Sequence, residues 1–406
     1  MQRLPQRRTD VIAIACCLLL TSAVSRAADI SCLNCHTNEL HQYSASVHAQ
    51  AGLSCVDCHG GDPKITDETA HATGNFRSPD TKQGIAEMCA SCHSDVRRMN
   101  PYGLPTDQLA QYKTSKHGEQ LFEHNDQNVA VCIDCHGVHD ILSPKTPGSH
   151  VYPTNIPETC GHCHSNAKLM DQYKLPSDVV AKYKTSYHAT MLFEKSDLSA
   201  PTCVTCHGSH GASPPGTAQV GEVCGKCHGR QRELFAKSPH AEAAAAGLFG
   251  GCISCHGNHA IQKASVDLYA KACIQCHAND PKELGVRDAV ATLIRHSQTD
   301  YDHAEARVHE ATVRGLATDD EQLLLQEAKT QISQLQVLQH TLAIDQLKPV
   351  AAHSEEIVKL TESDVAGLER VERWKRLALT PIWVFLVVMG VLFWLKRRQI
   401  EKWDGR

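Results

Sequence analysis

Aromatic residues are scarce in this 406-residue chain, since Phe, Trp and Tyr together make up only 5% of it. A chain of this length would ordinarily form two or three domains, each closed over a core of large apolar side chains. A strong charge of one sign is also missing, because the formal net charge is only -5, and this argues against a nucleic-acid partner. Long apolar runs occur at the two ends. The region between them is therefore short of ordinary core material.

The N-terminal end has the pattern of a secretory signal peptide. Basic residues precede an apolar run from Val11 to Val24, and small residues follow from Ser25 to Ala28. The alternative is an uncleaved anchor, but an apolar run of about 14 residues is short for a membrane span. We therefore predict that residues 1–27 are removed after export.

The C-terminal end contains an uncharged apolar segment, Leu377 to Leu395, with Trp383 and Trp394 towards its two ends. Its length and composition predict one transmembrane helix over residues 377–395. Basic residues flank it on both sides, so their bias does not fix the orientation. The export signal does, and it predicts residues 28–376 on the periplasmic side of the cytoplasmic membrane and a cytoplasmic tail at 396–406.

What the chain has in excess is Cys, with 20 residues, and His, with 26. Eighteen of the cysteines fall in nine CxxCH motifs, and the other two, Cys16 and Cys17, lie in the predicted signal peptide. The motif cysteines are Cys32, Cys35, Cys55, Cys58, Cys89, Cys92, Cys132, Cys135, Cys160, Cys163, Cys203, Cys206, Cys224, Cys227, Cys252, Cys255, Cys273 and Cys276. The motif histidines are His36, His59, His93, His136, His164, His207, His228, His256 and His277.

The CxxCH spacing is typical of covalent haem c attachment. Two Cys sulfurs one turn apart form thioethers to the two haem vinyl groups, and the adjacent His binds the iron. Zinc sites combine CxxC pairs in fours without requiring His next, and disulfides need no His at all. Nine consecutive pairs that all continue with His therefore predict nine covalently bound haems c, each with its motif His as the proximal ligand.

One motif occurs about every 27 residues between Cys32 and His277. Haem would then form most of the core over residues 28–280. We expect a mostly irregular and α-helical domain there, with short helices that carry the motifs, turns rich in Gly and Pro, and little or no β-sheet.

A larger repeat organises the remaining histidines. Each unit has an aromatic-x-x-Ser-x-His segment, then CxxCHGxH, then a second CxxCH, and these units begin at Tyr112, Tyr183 and Phe235. A degenerate unit begins at Tyr43 and has Asp62 where the CHGxH histidine would stand. Each full unit supplies two extra histidines for two haems, which favours His on both sides of each iron. The predicted distal ligands are His48, His71, His117, His139, His188, His210, His240 and His259.

A histidine three positions after a proximal ligand cannot easily reach the opposite side of the same haem. We therefore expect His139, His210 and His259 to bind neighbouring haems, with the intervening Gly allowing a sharp turn. The haem of Cys32 lies outside the units, and His41 and His296 are the candidates for its sixth ligand. The remaining histidines are interpreted as solvated: His124, His150, His162, His303, His309, His340 and His353.

From Pro281 the chain becomes poor in Gly, free of Cys and rich in Ala, Leu, Gln, Glu and Lys. This composition predicts a helical stalk over residues 281–376. The breaks at Gly315 and Pro349, with a capping-box pattern at Thr318 and Glu321, predict helices over 283–314, 319–346 and 354–376, the last continuing into the membrane.

The motif set resembles multihaem cytochromes c of the cytochrome c3-like, paired-CxxCH superfamily over about residues 32–277. That resemblance implies electron transfer along closely spaced haems in an anaerobic respiratory chain. The helical region is also similar to the tails of octahaem hydroxylamine-oxidoreductase-type enzymes.

Two functions are therefore open. The first is a membrane-anchored electron conduit between a quinol-oxidising membrane protein and periplasmic cytochromes or other carriers. The second is a multihaem reductase of a small nitrogen or sulfur oxyanion, with the Cys32 haem as the open site.

Overall fold

The computed structural model describes residues 31–73, 75–216 and 219–403. The protein is 67% helical, and the described residues contain no strand, which confirms the predicted fold class. The predicted signal peptide and the last residues of the predicted cytoplasmic tail lie outside the described residues.

Short helices dominate the first part of the chain. They are α1 Thr37–Ser44, α2 Val47–Gln50, α3 Cys55–His59, α4 Lys82–His93, α5 Val96–Met99, α6 Gln108–Thr114, α7 Lys116–His124, α8 Cys132–His136, α9 Ile156–His164, α10 Ala167–Gln172, α11 Val179–Lys184, α12 Tyr187–Phe193, α13 Cys203–His207, α14 Val220–Gly225, α15 Gly229–Phe235, α16 Ala241–Ala245, α17 Cys252–His256, α18 Asp267–Ala272 and α19 Ile274–His277. Three long helices follow: α20 Pro281–Val313, α21 Asp319–Leu338 and α22 Ile344–Trp403. Short 3₁₀ segments are Ser31–Asn34, Glu68–Ala72, Asn100–Tyr102 and Gln339–Thr341.

Several CxxCH motifs form a helix of their own, and the third residue of the motif stabilises its start. The Asp57 carboxylate accepts the backbone N–H of Ser54 at 2.6 Å. The Thr205 hydroxyl accepts the N–H of Thr202 at 3.1 Å in the same way. Each bond satisfies a donor that the first helical turn cannot pair internally. The third residue of the motif therefore helps to start the attachment helix.

These motif helices end at the Gly of CHG. Gly137 has φ 86° and ψ 176°, and Gly208 has φ 85° and ψ 163°. Gly60 and Gly257 also have positive φ, at 68° and 73°. This backbone region is essentially restricted to glycine. The expected sharp turn after the proximal ligand is thus confirmed.

The chain forms two compact units. The first comprises residues up to Pro214 together with His259–Gln262, and it contains the six motifs from Cys32 to His207. The second comprises Pro215–Asn258 and Lys263–Arg406, and it contains the last three motifs and the long helices.

Within the second unit, α20, α21 and α22 pack as a three-helix bundle. Helices α20 and α22 run in the same direction, because His303 pairs with Glu362 at 2.8 Å and Arg314 pairs with Glu369 at 2.9 Å. Helix α21 returns between them through two short turns. The apolar cores of the bundle contain Tyr301, Ala304, Val308, Ala311, Leu325, Ala328, Ile332, Ile357, Val358 and Val365, and, nearer its start, Val290, Ile294, Leu335, Leu347 and Ala351.

The observed end of α21 and the observed start of α22 differ from the predicted boundaries. Helix α21 ends at Leu338 rather than at 346, because the chain reverses through Gln339–Thr341 and Leu342, whose φ is 55°. Helix α22 then begins at Ile344 rather than at 354 and passes through Pro349. Pro349 is the sixth residue of α22, so the helix lacks the hydrogen bond that an N–H at this position would donate to the carbonyl of Asp345.

Helix α22 includes a stretch long and apolar enough to cross a membrane, within Ile344–Ile400. The apolar side chains of α22 after Leu377 are not buried against other parts of the protein. Phe385 is 61% exposed and Phe393 is 74% exposed. A helix with apolar side chains on all sides and no protein packed on them is suited to lipid.

Candidate haem sites

The histidine of each aromatic-x-x-Ser-x-His segment lies in the first turn of a helix or just before one. Ser46, Ser115 and Ser186 are buried N-caps whose hydroxyls accept the N–H three residues later, at 2.9 to 3.1 Å. The cap fixes the first helical turn. It therefore also fixes His48, His117 and His188, each at the second residue of its helix.

The aromatic residue of the same segment ties this helix to a motif helix. The Tyr112 hydroxyl donates to the carbonyl of Ala130 at 2.7 Å, and the Tyr183 hydroxyl donates to the carbonyl of Pro201 at 2.9 Å. Tyr43 donates to the carbonyl of Leu53. Each acceptor lies two residues before the first cysteine of a motif. The repeat thus holds its extra histidine in a fixed position relative to a haem-attachment helix.

Eight motif histidines within the described residues face a second histidine across a nearly constant gap. The ring centres are 6.1 Å apart for His36–His71, 6.1 Å for His48–His93, 6.3 Å for His59–His139, 6.1 Å for His117–His164, 6.1 Å for His136–His210, 6.0 Å for His207–His259, 6.1 Å for His240–His277 and 6.4 Å for His256–His340.

This gap fits one iron atom between two imidazoles. A first-row metal ion binds an imidazole nitrogen at about 2.0–2.1 Å, so two rings on opposite sides of it have centres about 6 Å apart. Direct stacking of aromatic rings covers a wider range of separations and angles. The repeated value of 6.0 to 6.4 Å, at interplanar angles from 13° to 78°, therefore points to axial ligands of a haem rather than to ring stacking.

Burial favours the neutral, metal-binding form of several of the facing imidazoles. Burial lowers the pKa of His136 to about 4, and the facing His210 adds to the shift. Burial likewise lowers the pKa of His117 and of His259, with a further contribution from the histidine opposite each. Metal ligation needs the neutral ring with a free lone pair. The residues present thus fit the axial positions of a haem.

The predicted distal histidines fall into two groups. His48, His117 and His240 face the second motif histidine of their own repeat unit, at His93, His164 and His277. His139, His210 and His259 face the first motif histidine of the preceding unit, at His59, His136 and His207. None of the last three faces the motif histidine that lies three residues before it. His188 occupies the same position in its helix as His117.

The Cys32 motif has a different partner from the one expected. His71 faces His36, whereas the sequence pattern favoured His71 for the first repeat unit. His41 is exposed on α1, and His296 is 64% exposed and pairs with Asp300 at 3.4 Å. The reason is that the CHGxH histidine of one repeat unit faces a motif histidine of the preceding repeat unit. Because His139 reaches back to His59, the nearby His71 remains for His36.

His340 was interpreted as a solvated histidine, and the structure corrects this. It lies in the turn between α21 and α22, is partly buried, and faces His256. Burial lowers the pKa of His256, and the nearby His340 lowers it further. No motif surrounds His340 in the sequence, so only the fold brings it to the haem region.

Cysteines of consecutive motifs lie side by side. In the first compact unit, three pairs of sulfur atoms are within hydrogen-bonding reach: Cys32 and Cys55, Cys89 and Cys132, and Cys160 and Cys203. The intervening motifs lie near one another at their second cysteines, Cys58 near Cys92 and Cys135 near Cys163. In the second unit, Cys224 lies beside Cys252, and Cys255 lies near Cys273. The motifs of each unit therefore follow one another in chain order.

Comparison with known proteins supports this chemistry. The sequence pattern of the cytochrome c552 family matches residues 38–100, which contain the motifs that end at His59 and His93. No curated protein and no solved structure matches the chain. The family match supports a c-type cytochrome that carries covalently bound haem c and transfers electrons. It also suggests an exported protein.

Proposed function

We propose that this protein is a membrane-anchored periplasmic cytochrome c. It conducts electrons along nine haems, each with two axial ligands and most of them with two His ligands, between a quinol-oxidising membrane protein and periplasmic carriers. The setting is anaerobic respiration, as the resemblance to cytochrome c3-like proteins implies. The nine CxxCH motifs attach the haems, and the predicted distal histidines complete the coordination of the irons they face.

The observation that carries the proposal is the closeness of cysteines from consecutive motifs. Bound haem supplies one-electron chemistry through its iron. Each cysteine holds one edge of its haem, so adjacent cysteines bring haem edges together. First cysteines meet first cysteines and second cysteines meet second cysteines in alternation along the first unit. Such an order gives each motif between the Cys32 and Cys203 motifs two neighbours and suits a path for electrons.

The facing histidines favour a conduit over a reductase. An iron with two imidazole ligands has no vacant position for a substrate, and this ligation gives lower potentials than His and Met together. The Cys32 haem was the candidate for an open site. Because His71 stands opposite His36, that haem has a second ligand within reach. The haem that was the candidate for oxyanion reduction is therefore better suited to electron transfer.

The anchor itself offers no chemistry for a quinol. The segment from Leu377 to Leu395 contains no His and no other ionisable residue, so it cannot hold haem b or accept the protons of quinol oxidation. The orientation that the export signal predicts puts the bundle in the periplasm. A separate quinol-oxidising partner in the membrane is consequently required.

The bundle also separates its own haem motifs from the lipid. His277 and the turn at Gln339–Thr341 lie at one end of the bundle, and the opposite end leads into the membrane segment. From Ile344 to Leu377, α22 spans about 50 Å at a rise of 1.5 Å per residue. The motifs that end at His256 and His277 therefore lie far along the bundle axis from the lipid surface. We infer that the partner has a periplasmic part that reaches them.

The proposal is tested by reduction in liposomes. We expect that the full-length protein, reconstituted with a reduced quinone pool under anaerobic conditions, stays oxidised in its haem absorbance spectrum. Dithionite, as the control, will reduce all haems of the same sample. Membranes that contain the quinol-oxidising partner will reduce it with quinol alone. Rapid and complete reduction by the lipid quinol without any partner contradicts the proposed electron route.

A further inference from the structure

The turn that carries His340 is firmly held. Thr341 is 2% exposed, and its hydroxyl donates to the carbonyl of Leu338 at 2.9 Å while it accepts the N–H of Ala343 at 3.1 Å. Leu342 follows with φ 55°, a backbone conformation that a non-glycine residue keeps only where its surroundings impose it. The turn is therefore built for one conformation.

Two helices from the haem-bearing part of the second unit pack against this turn. Helix α15, which follows the motif histidine His228, contacts the segment Gln339–Thr341. From α18, between the last two motifs, the Tyr269 hydroxyl donates to the side-chain oxygen of Gln339 at 2.6 Å. The residue next to His340 is thus linked directly to the chain segment between the last two attachment sites.

The ring of His340 has the orientation of a metal ligand. Its Nδ1 lies 2.9 Å from the carbonyl oxygen of Val337. A carbonyl can only accept, so Nδ1 must carry the hydrogen, and the lone pair is left on Nε2. Metal-binding histidines almost always donate their other ring N–H to such an oxygen. The ring centre lies 6.4 Å from that of His256, close to the spacing of the other facing pairs.

The repeat explains why a histidine is needed at this place. In each later unit, the CHGxH histidine faces the first motif histidine of the unit before it: His139 faces His59, His210 faces His136 and His259 faces His207. The haem of Cys252 and Cys255 belongs to the last unit. Residues 281–406 contain no CxxCHGxH segment, so the repeat itself offers no counterpart for this haem.

We propose that His340 is the sixth ligand of the haem held by Cys252, Cys255 and His256. The helical bundle then terminates the haem repeat by supplying the ligand that the next unit would provide, in addition to acting as a stalk. This inference rests on the proposed nine-haem conduit, because it assumes that the Cys252 motif carries a haem.

The test is a His340→Ala variant of the full-length protein, studied oxidised by electron paramagnetic resonance. We expect one iron of the nine to change from low spin to high spin, and imidazole added to the solution to restore the low-spin state. His353→Ala is the matched control, since His353 is half exposed on α22 beside Glu327 and Glu356. It will leave every haem low-spin.

A second variant covers the case in which the alanine variant does not fold. In His340→Met the iron keeps six ligands, and His/Met ligation raises the potential of that haem. We expect one component of the redox titration to shift to a more positive potential. Unchanged spin state in His340→Ala, or an unchanged titration in His340→Met, overturns the assignment.

The two proposals fail in different ways. If intact-mass measurement of the unmodified protein finds fewer than nine haems, or its oxidised spectrum already contains a high-spin haem, the nine-haem conduit fails. If the unmodified protein has nine low-spin haems and His340→Ala has nine as well, only the role of His340 is lost.

Discussion

An oxidised His210→Ala variant will contain one high-spin haem, and that haem will be the one attached to Cys132 and Cys135. His210 faces His136 at 6.1 Å, whereas the motif histidine three residues before it, His207, faces His259 at 6.0 Å. Loss of the imidazole therefore leaves the iron of the preceding repeat unit with five ligands. Electron paramagnetic resonance measures the change as one iron of the nine.

Two further variants identify which haem has changed. When Cys132 and Cys135 are also replaced by Ser, the haem in question is missing, so the high-spin signal will disappear. When Cys203 and Cys206 are replaced instead, the signal will remain. The reverse pattern contradicts the pairing between repeat units. His124→Ala is the control, because His124 is an exposed histidine in the repeat unit that contains Cys132. This variant will leave all haems low-spin.

A Gly208→Ala variant will lower the thermal stability of the protein. Gly208 has φ 85° and ψ 163°, where a side chain costs about 1–3 kcal/mol. The added Cβ would lie 3.4 Å from the carbonyl oxygen of Gly211, so the penalty comes from the backbone rather than from a collision. For a domain of 150–250 residues, each kcal/mol lowers the midpoint of thermal unfolding by about 2–4 °C.

Gly285→Ala is the matched control for this prediction. Gly285 lies inside α20 with nothing within 4 Å of an added Cβ, so alanine will stabilise that helix by up to about 1 kcal/mol. Scanning calorimetry of the haem-loaded proteins compares the two variants. Equal unfolding temperatures for Gly208→Ala and the unmodified protein contradict the account of the CHG turn.

The sequence predicted the chemistry of the sites more fully than their pairing. Covalent attachment dictates the CxxCH spacing, so every motif is visible without a structure. The repeat also reveals His48 and His117, which end an aromatic-x-x-Ser-x-His segment, and His210, which stands three residues after a motif histidine. Which histidine faces which motif depends on how successive repeat units pack, and this is why the sequence alone did not identify His71 as the residue that faces His36.

His340 could not be found from local sequence for a related reason. It is separated from its partner, His256, by two whole helices of the bundle, and no motif marks it. The turn that positions it depends on Leu342, whose φ is 55°. A positive φ at a leucine cannot be predicted from the amino-acid type. The same turn displaced the predicted end of α21 and the predicted start of α22. One tertiary feature thus accounts for both differences.

The central claim is that pairs of facing histidines hold haem iron from both sides along the chain of motifs. The most direct measurement is electron paramagnetic resonance of the oxidised full-length protein, combined with its haem content from intact mass. The account predicts nine covalently attached haems whose signals are all low-spin. A high-spin signal from one or more whole irons, in protein that carries all nine haems, contradicts it.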